Sequence, residues 1–258
     1  MLTVRRLNLD SSWHLSWGGQ QFVIDPWLIG SEVDGFRWLN EQWHATPPLP
    51  LSEIPPCDAI VVTQSYSDHC HLPTLREMDP GIPLLATGKA FVRLRKYFPE
   101  REVLRIPDMH NRPPLVFGDL HFRALHPGRR RDPVYYGLVI SNVQREAVAL
   151  TPHGFRLDVN QLDQMVGYRC RLLLTSFAQY ELPALLGGKV NPGLENVRQL
   201  LAQLQPERVL STHDEQKPGR GLVPRLARTR YPDLSQLAEA MMDFPLDVVE
   251  DYEPRSWP

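Results

Sequence analysis

An α/β fold follows from three features of this 258-residue chain. Short strand-like runs recur along it, several of them apolar throughout. Stretches of helical periodicity fall between some of these runs. No internal repeat, low-complexity segment or linker-like composition divides the chain, so residues 1–258 are expected to form one domain.

The strand-like runs are Gln21–Ile24, Ala59–Val62, Glu102–Ile106, Leu138–Ile140, Ala147–Leu150, Leu172–Leu174 and Val209–Leu210. Continuously apolar runs of this length suit strands covered on both faces. Thr87 stands where it can cap a helix that places Phe91, Leu94 and Phe98 at i, i+3 and i+7. Asn191-Pro192 reads as an N-cap followed by proline at the first helical position. Leu194, Val197, Leu201 and Leu204 then form one stripe, which Pro206 stops. Asp233 opens a last helix with Leu234, Leu237 and Met241 inward. Residues 31–48 fit no regular element. They carry Trp38 and Trp43 and follow Trp27. A satellite hydrophobic cluster under a long loop is the default expectation; a wall or lid over a pocket is the functional alternative.

The composition is that of a globular protein, 42% hydrophobic and 22% charged, with enough apolar material for a core that needs no disulfide. A net charge of −2 creates no global attraction for nucleic acid or an anionic membrane. Arg129-Arg130-Arg131 is a local basic run, read as a solvated loop or an anion-binding edge. The 25 prolines are about twice the ~5% norm, and their dispersal suggests rigid loops between short elements. Cys57, Cys70 and Cys170 cannot form a full disulfide set, which favours a reducing compartment. The N-terminal residues lack the apolar core of a signal peptide, and no run approaches the ~18 apolar residues of a membrane span. A cytoplasmic location is therefore expected. Gly187-Gly188-Lys189 lacks phosphate-loop spacing, and no Gly-x-Ser-x-Gly nucleophile elbow is present.

Three strand-like runs end in metal-competent residues. Ala59–Val62 leads to Asp68-His69, Ala147–Leu150 to Thr151-Pro152-His153-Gly154, and Val209-Leu210 to Ser211-Thr212-His213-Asp214. Functional sites of α/β sheets collect just beyond strand ends. Convergence of these loops would join Asp68, His69, His153 and His213, a donor set suited to Zn²⁺ with one position left for water. On spacing alone, hydrogen-bonded structural histidines and a metal site are both open.

Thr63-Gln64-Ser65-Tyr66-Ser67-Asp68-His69 resembles the Thr-His-x-His-x-Asp-His signature of the metallo-β-lactamase fold superfamily, in its divergent bacterial and plastid branches. The opening Ser12–Pro26 is similar to that family's first hairpin, whose strand ends in Asp-Pro. Ala149–Gly154 resembles the strand carrying the bridging aspartate, in a Pro-His-Gly variant, and Val209–His213 the strand ending in the last metal-binding histidine. The correspondence runs from about residue 8 to residue 225. It implies an αββα four-layer sandwich of two mixed β-sheets with outer helices.

In the intact motif, the two early histidines and a third from a later loop hold one zinc. The aspartate, the final histidine and the C-terminal histidine hold the other. Here Gln64 and Tyr66 occupy the two early positions. A neutral amide is a weak Zn²⁺ partner, and a phenol of pKa ≈10 needs deprotonation to ligate well. His126 is a candidate for the third ligand of that lost site, or is structural. The resemblance implies a one-metal site of Asp68, His69 and His213, with His153 in place of the bridging carboxylate as a fourth or supporting ligand. Water on such a Zn²⁺ is acidified towards ~7. Asp68 and His153 are thus candidate catalytic residues, and Tyr66 a donor to a developing oxyanion. Asp25 is expected to orient a ligand histidine. His71 and Asp214 are expected at the surface or supporting the ligands, and Cys70 is expected to pack inward.

The resulting expectation is a divergent metal-dependent hydrolase of a small-molecule substrate, using one metal-bound water. The alternative is an inactive relative whose pocket binds a small molecule or partner. An RNA-processing role is disfavoured by the net charge and the lack of an aromatic-basic platform. Substrate and oligomeric state are left open by the sequence.

Overall fold

The computed structural model describes residues 1–110, 112–126, 136–186, 188–240, 246–247 and 251–258. The Arg129–Arg131 run, Gly187 and Met241 lie outside the described residues.

Two seven-stranded sheets dominate. The first runs in the order Arg255–Trp257, Leu2–Arg6, Trp13–Trp17, Gln20–Ile24, Ala59–Val62, Leu84–Thr87, Val103–Ile106. Its first four strands pair antiparallel, and Gln20–Ile24 onward runs parallel. The second runs Leu246–Asp247, Val209–Ser211, Arg169–Thr175, Glu146–Thr151, Gly137–Asn142, Leu120–Leu125, Leu115–Phe117. Parallel pairing there joins Glu146–Thr151, Arg169–Thr175 and Val209–Ser211.

The period-2 alternation of the strands explains the layers. Val61, Phe22, Ile24, Leu172, Leu174, Val148 and Leu150 point into one core between the two sheets. Ile60, Val62, Leu84 and Ala86 point to the other face of the first sheet, where Leu72 and Leu75 of helix Leu72–Glu77 and Ala90 and Leu94 of helix Gly88–Tyr97 cover them. Leu173, Ala147, Ala149 and Val209 face outward from the second sheet, under Met165 of helix Val159–Met165 and Val197, Leu200 and Leu201 of helix Leu194–Leu204. The result is the expected helix–sheet–sheet–helix sandwich. Each buried leucine contributes roughly 1.5–3 kcal/mol of burial free energy.

All seven expected strands are present, extended by one to three residues at several ends; Val103–Ile106 is one residue shorter. Several others, among them Leu2–Arg6 and Leu120–Leu125, alternate buried and half-buried side chains and carry Arg5, Arg6, His121 and Arg123. Their apolar signal is therefore diluted. Thr87 precedes helix Gly88–Tyr97 as expected, but its hydroxyl donates to the Thr63 carbonyl instead of capping.

One expectation is corrected. Asn191-Pro192 does not open a helix; Lys189–Pro192 is a strand paired with Gln179–Glu181. Helix Leu194–Leu204 starts after Gly193, whose φ of 74° makes the turn. A pairing partner remote in sequence overrides the local capping signal, and the Asn191 side chain is engaged elsewhere.

Residues 31–48 are not a satellite core. Phe36 and Trp38 are 64% and 67% exposed, stacked on each other at 5.9 Å. Glu32–Val33 and Glu41–Gln42 form a small sheet with Gly219–Arg220. That sheet holds the segment against the residue 64–69 loop, so the wall reading describes it better. Among the described residues no helix is long and apolar enough to cross a membrane.

Candidate metal centre

The parallel strands of each sheet end at one rim, so the loops that follow them meet. Asp25 and Thr63–His69 come from the first sheet; His153 and His213 come from the second. Trp13 Nε1 donates to Thr212 Oγ1 at 2.9 Å and His213 N to the Asp10 carbonyl at 2.8 Å, tying the sheets together there.

Asp68, His69, His153 and His213 each offer a donor atom, and these atoms lie within 4.8 Å of one another. His69 Nε2 is 3.1 Å from His153 Nε2. Asp68 Oδ2 is 3.4 Å from His213 Nε2 and 3.7 Å from His69 Nε2. Thus the four residues singled out by strand-end position come together.

Each imidazole is held by its other nitrogen. His69 Nδ1 pairs with Asp25 Oδ2 at 2.8 Å, His153 Nδ1 with Asn191 Oδ1 at 2.7 Å and His213 Nδ1 with Asp10 Oδ2 at 3.2 Å. All three partners accept, so each Nδ1 carries the proton and each Nε2 turns inward. Asp25 is itself fixed by Thr63, whose N–H and Oγ1 donate to its two oxygens at 2.7 and 2.5 Å. Asp25 and His213 have φ of 47° and 59°. Left-handed backbone at non-glycine residues is sparse and concentrates at functional sites.

The His153 turn depends on Gly154. At its φ of +77°, a Cβ would lie 2.4 Å from Asn196 Oδ1. That oxygen accepts from Phe155 N at 2.8 Å and so fixes the turn.

Burial and charge act together here. Burial opposes ionisation of Asp68, yet His69, His213 and Lys217 lower its pKa to about 2. Burial likewise opposes charge on His69, but Asp68 and Asp25 raise it to about 9. Burial and the neighbouring His213 and His69 hold His153 well below the usual imidazole range. Lys217 Nζ donates to Asp10 Oδ2 at 2.8 Å and lies 5.3 Å from the Trp27 ring centre. Burial opposes its charge, but Asp10, Asp68 and Glu32 keep the ammonium protonated.

These residues fit a metal ion. With both Nδ1 atoms committed, the facing Nε2 lone pairs of His69 and His153 repel unless a proton or cation lies with them. Asp68 Oδ1 is buried and has no hydrogen-bond partner among the described residues. Neutral imidazoles and a carboxylate form a Zn²⁺-type donor set.

The other half of the motif is different. Gln64 Nε2 donates to the Tyr136 carbonyl at 3.4 Å, and its buried Oε1 has no partner among the described residues. Tyr66 is half-buried; burial, then Asp34 and Asp68, raise its phenol pKa. His126 meets the Tyr136 ring edge-on at 5.0 Å and is outside the histidine cluster.

Of the flanking residues, His71 caps helix Leu72–Glu77 by accepting from Thr74 N. Asp214 anchors the loop after Arg169–Thr175 through Ser176 Oγ, Phe177 N and Ala178 N. Cys70 is buried, as expected. Sequence reasoning missed Asp10, Asn191 and Lys217, which are scattered polar residues with no spacing signal. It also missed Glu32 and Asp34, which Ser67 holds: its N–H donates to Asp34 Oδ1 at 3.0 Å, and its hydroxyl lies 2.6 Å from Glu32 Oε2.

Comparison with known proteins agrees with this architecture. The beta-lactamase superfamily domain matches residues 20–213. An isothiocyanate hydrolase from Delia radicum gut bacteria superposes with a TM-score of 0.68 at 14% identity, covering 99% of this chain and 98% of that one. Igni18, a metallo hydrolase from the archaeon Ignicoccus hospitalis, superposes with a TM-score of 0.68 at 16% identity, covering 100% and 99%. A segment of 73 residues is 34% identical to cytidine monophosphate-N-acetylneuraminic acid hydroxylase from Cricetulus griseus, covering 27% of this chain and 12% of that protein. The chain belongs to the beta-lactamase superfamily and has the metallo-β-lactamase fold.

Proposed function

We propose that this member of the beta-lactamase superfamily is a metal-dependent hydrolase of a small-molecule substrate, with Asp68, His69, His153 and His213 holding one Zn²⁺. The observation that carries this reading is the 3.1 Å approach of His69 Nε2 to His153 Nε2 while both Nδ1 atoms are engaged by acceptors. Hydrolase structures that align over nearly the whole chain support the reaction class.

A bound ion of this class polarises a carbonyl or phosphoryl group and lowers the pKa of water in its coordination shell towards ~7. The remaining tasks fall to the chain. Asp25, Asn191 and Asp10 keep the imidazoles in the tautomer whose Nε2 faces inward. Tyr66, kept protonated by burial and by Asp34 and Asp68, donates to the oxyanion as it develops. Lys217 adds fixed positive charge beside the carboxylates.

The test combines elemental analysis of protein purified without chelator with turnover of ester, lactone and phosphodiester panels. About one equivalent of zinc is expected, lost in Asp68→Ala together with turnover. Protein that contains no metal, takes up none, and melts identically with EDTA and with zinc overturns the hydrolase reading in favour of an inactive binding protein.

A further inference from the structure

We propose a second, oxygen-lined cation site beside the histidine cluster, formed by Glu32, Asp34 and Asp68, with Asp68 shared between the two. It rests on the metal reading above only in that shared residue.

A carboxylate oxygen from each of the three residues lies within 4.8 Å of the other two. Three oxygens no more than 4.8 Å apart all lie within about 2.8 Å of a common centre, so a shift of a few tenths of an ångström brings them to the roughly 2.3–2.6 Å of Ca²⁺ sites. Glu32 is fully buried and Asp34 half-buried. Asp68 is 8% exposed. Its Oδ2 faces His69 and His213, whereas Oδ1 is buried without a hydrogen-bond partner among the described residues.

Local donors are too few for three anions. The Ser67 hydroxyl lies 2.6 Å from Glu32 Oε2 and 3.0 Å from Asp34 Oδ1, but it has one proton to give. Ser67 N–H adds one bond to Asp34, and Asn40 Nδ2 a long one of 3.4 Å to Glu32. Lys217 makes its hydrogen bond to Asp10 and reaches Glu32 and Asp68 through its field alone, as Arg93 reaches Asp34. Three carboxylates out of water at this spacing need compensation by an ion or by protons. All-oxygen donors select a hard divalent ion of the Ca²⁺ or Mn²⁺ class, in contrast to the imidazole-rich neighbour.

This site uses neither Gln64 nor Tyr66. It draws on the loop of residues 31–42, which gives that loop a role: its short strands present Glu32 and Asp34 to the loop that carries Asp68.

The experiment uses the full chain, stripped with chelator and then loaded with one equivalent of Zn²⁺. Mn²⁺ is titrated in and the free ion followed by electron paramagnetic resonance, with Ca²⁺ as competitor. Wild type is expected to bind one Mn²⁺. Glu32→Gln and Asp34→Asn, singly and together, are expected to weaken Mn²⁺ at least tenfold and to keep the zinc. His153→Ala is expected to lose zinc and keep Mn²⁺. Glu32→Gln and Asp34→Asn are near-isosteric and preserve shape, and circular dichroism checks the fold of every variant; the single variants decide the matter where the double variant does not fold. Wild type that binds zinc but no Mn²⁺, or variants that bind Mn²⁺ as wild type does, overturn the second site and leave the first standing. Mn²⁺ uptake without zinc uptake overturns the first reading and supports the second site.

Discussion

On one side of the residue 64–69 loop, three imidazoles have their outer nitrogens held by Asp25, Asn191 and Asp10, and their inner nitrogens face one another. On the other side, Gln64 keeps a buried oxygen with no partner among the described residues, and Tyr66 keeps its phenolic proton. Seven consecutive residues, Thr63–His69, thus serve both a fully braced half and a half in which Gln64 has one long hydrogen bond, to the Tyr136 carbonyl at 3.4 Å. A donor set for a metal needs the supporting hydrogen bonds as much as the ligands. Where the ligand histidines are absent, the support among the described residues is sparse as well.

The strongest way to break this contrast is to remove a ligand. His69→Ala is expected to weaken zinc binding more than 100-fold and to cost about 3 kcal/mol of stability, because Asp25 stays buried with its Thr63 donors but loses the imidazole that balances its charge. Calorimetric zinc titration and chemical denaturation measure both. Retained zinc affinity would show that the braced half is only a hydrogen-bond relic.

Removing a brace is expected to have a smaller effect. Asp25→Asn, Asn191→Ala and Asp10→Asn should each weaken zinc about 10–100-fold while the four inner residues stay intact. Loss of less than threefold would mean that the imidazoles are positioned by packing alone.

Acidity offers a third test. In the metal-free protein His69 is raised to about 9, so its folded-state affinity for the proton exceeds the unfolded one. That contribution to stability is fully present below pH ~6.5 and is lost as pH rises through about 9. Glu32, raised to about 8 by burial, Asp68 and Asp34, acts in the same direction. Melting temperature of the metal-free protein should therefore fall between pH 6.5 and 9. Zinc must displace the His69 proton, so its apparent Kd should drop by up to about tenfold per pH unit over the same range. A flat zinc affinity would place His69 outside the ligand set.

The smallest effect is expected in the unbraced half. Gln64→Leu removes an amide whose oxygen is already unpaired, and should change stability by less than about 1 kcal/mol and zinc affinity by less than threefold. A zinc affinity lost in this variant would make Gln64 a ligand and erase the contrast.

Much of the sandwich was legible because strands covered on both faces are apolar at every position; Ala59–Val62 and Leu172–Leu174 announce themselves. Edge and hairpin strands such as Leu120–Leu125 were harder, since one face carries His121 and Arg123. Asn191-Pro192 misled because its capping signal is local, whereas its strand partner Gln179–Glu181 and its contact with His153 are not.

The sequence by itself determined which residues stand at strand ends, and so made Asp68, His69, His153 and His213 candidates for one rim; the stacking of the two sheets brought them together. Periodicity and spacing are local properties, and parallel strands carry them to a common edge. Only the tertiary structure decided what braces those residues. Asp10 meets His213 across 203 positions and Asn191 meets His153 across 38, and Glu32 reaches Ser67 from a loop without periodicity. Such contacts depend on how two sheets stack and where their loops cross, and a one-dimensional pattern carries no record of that distance.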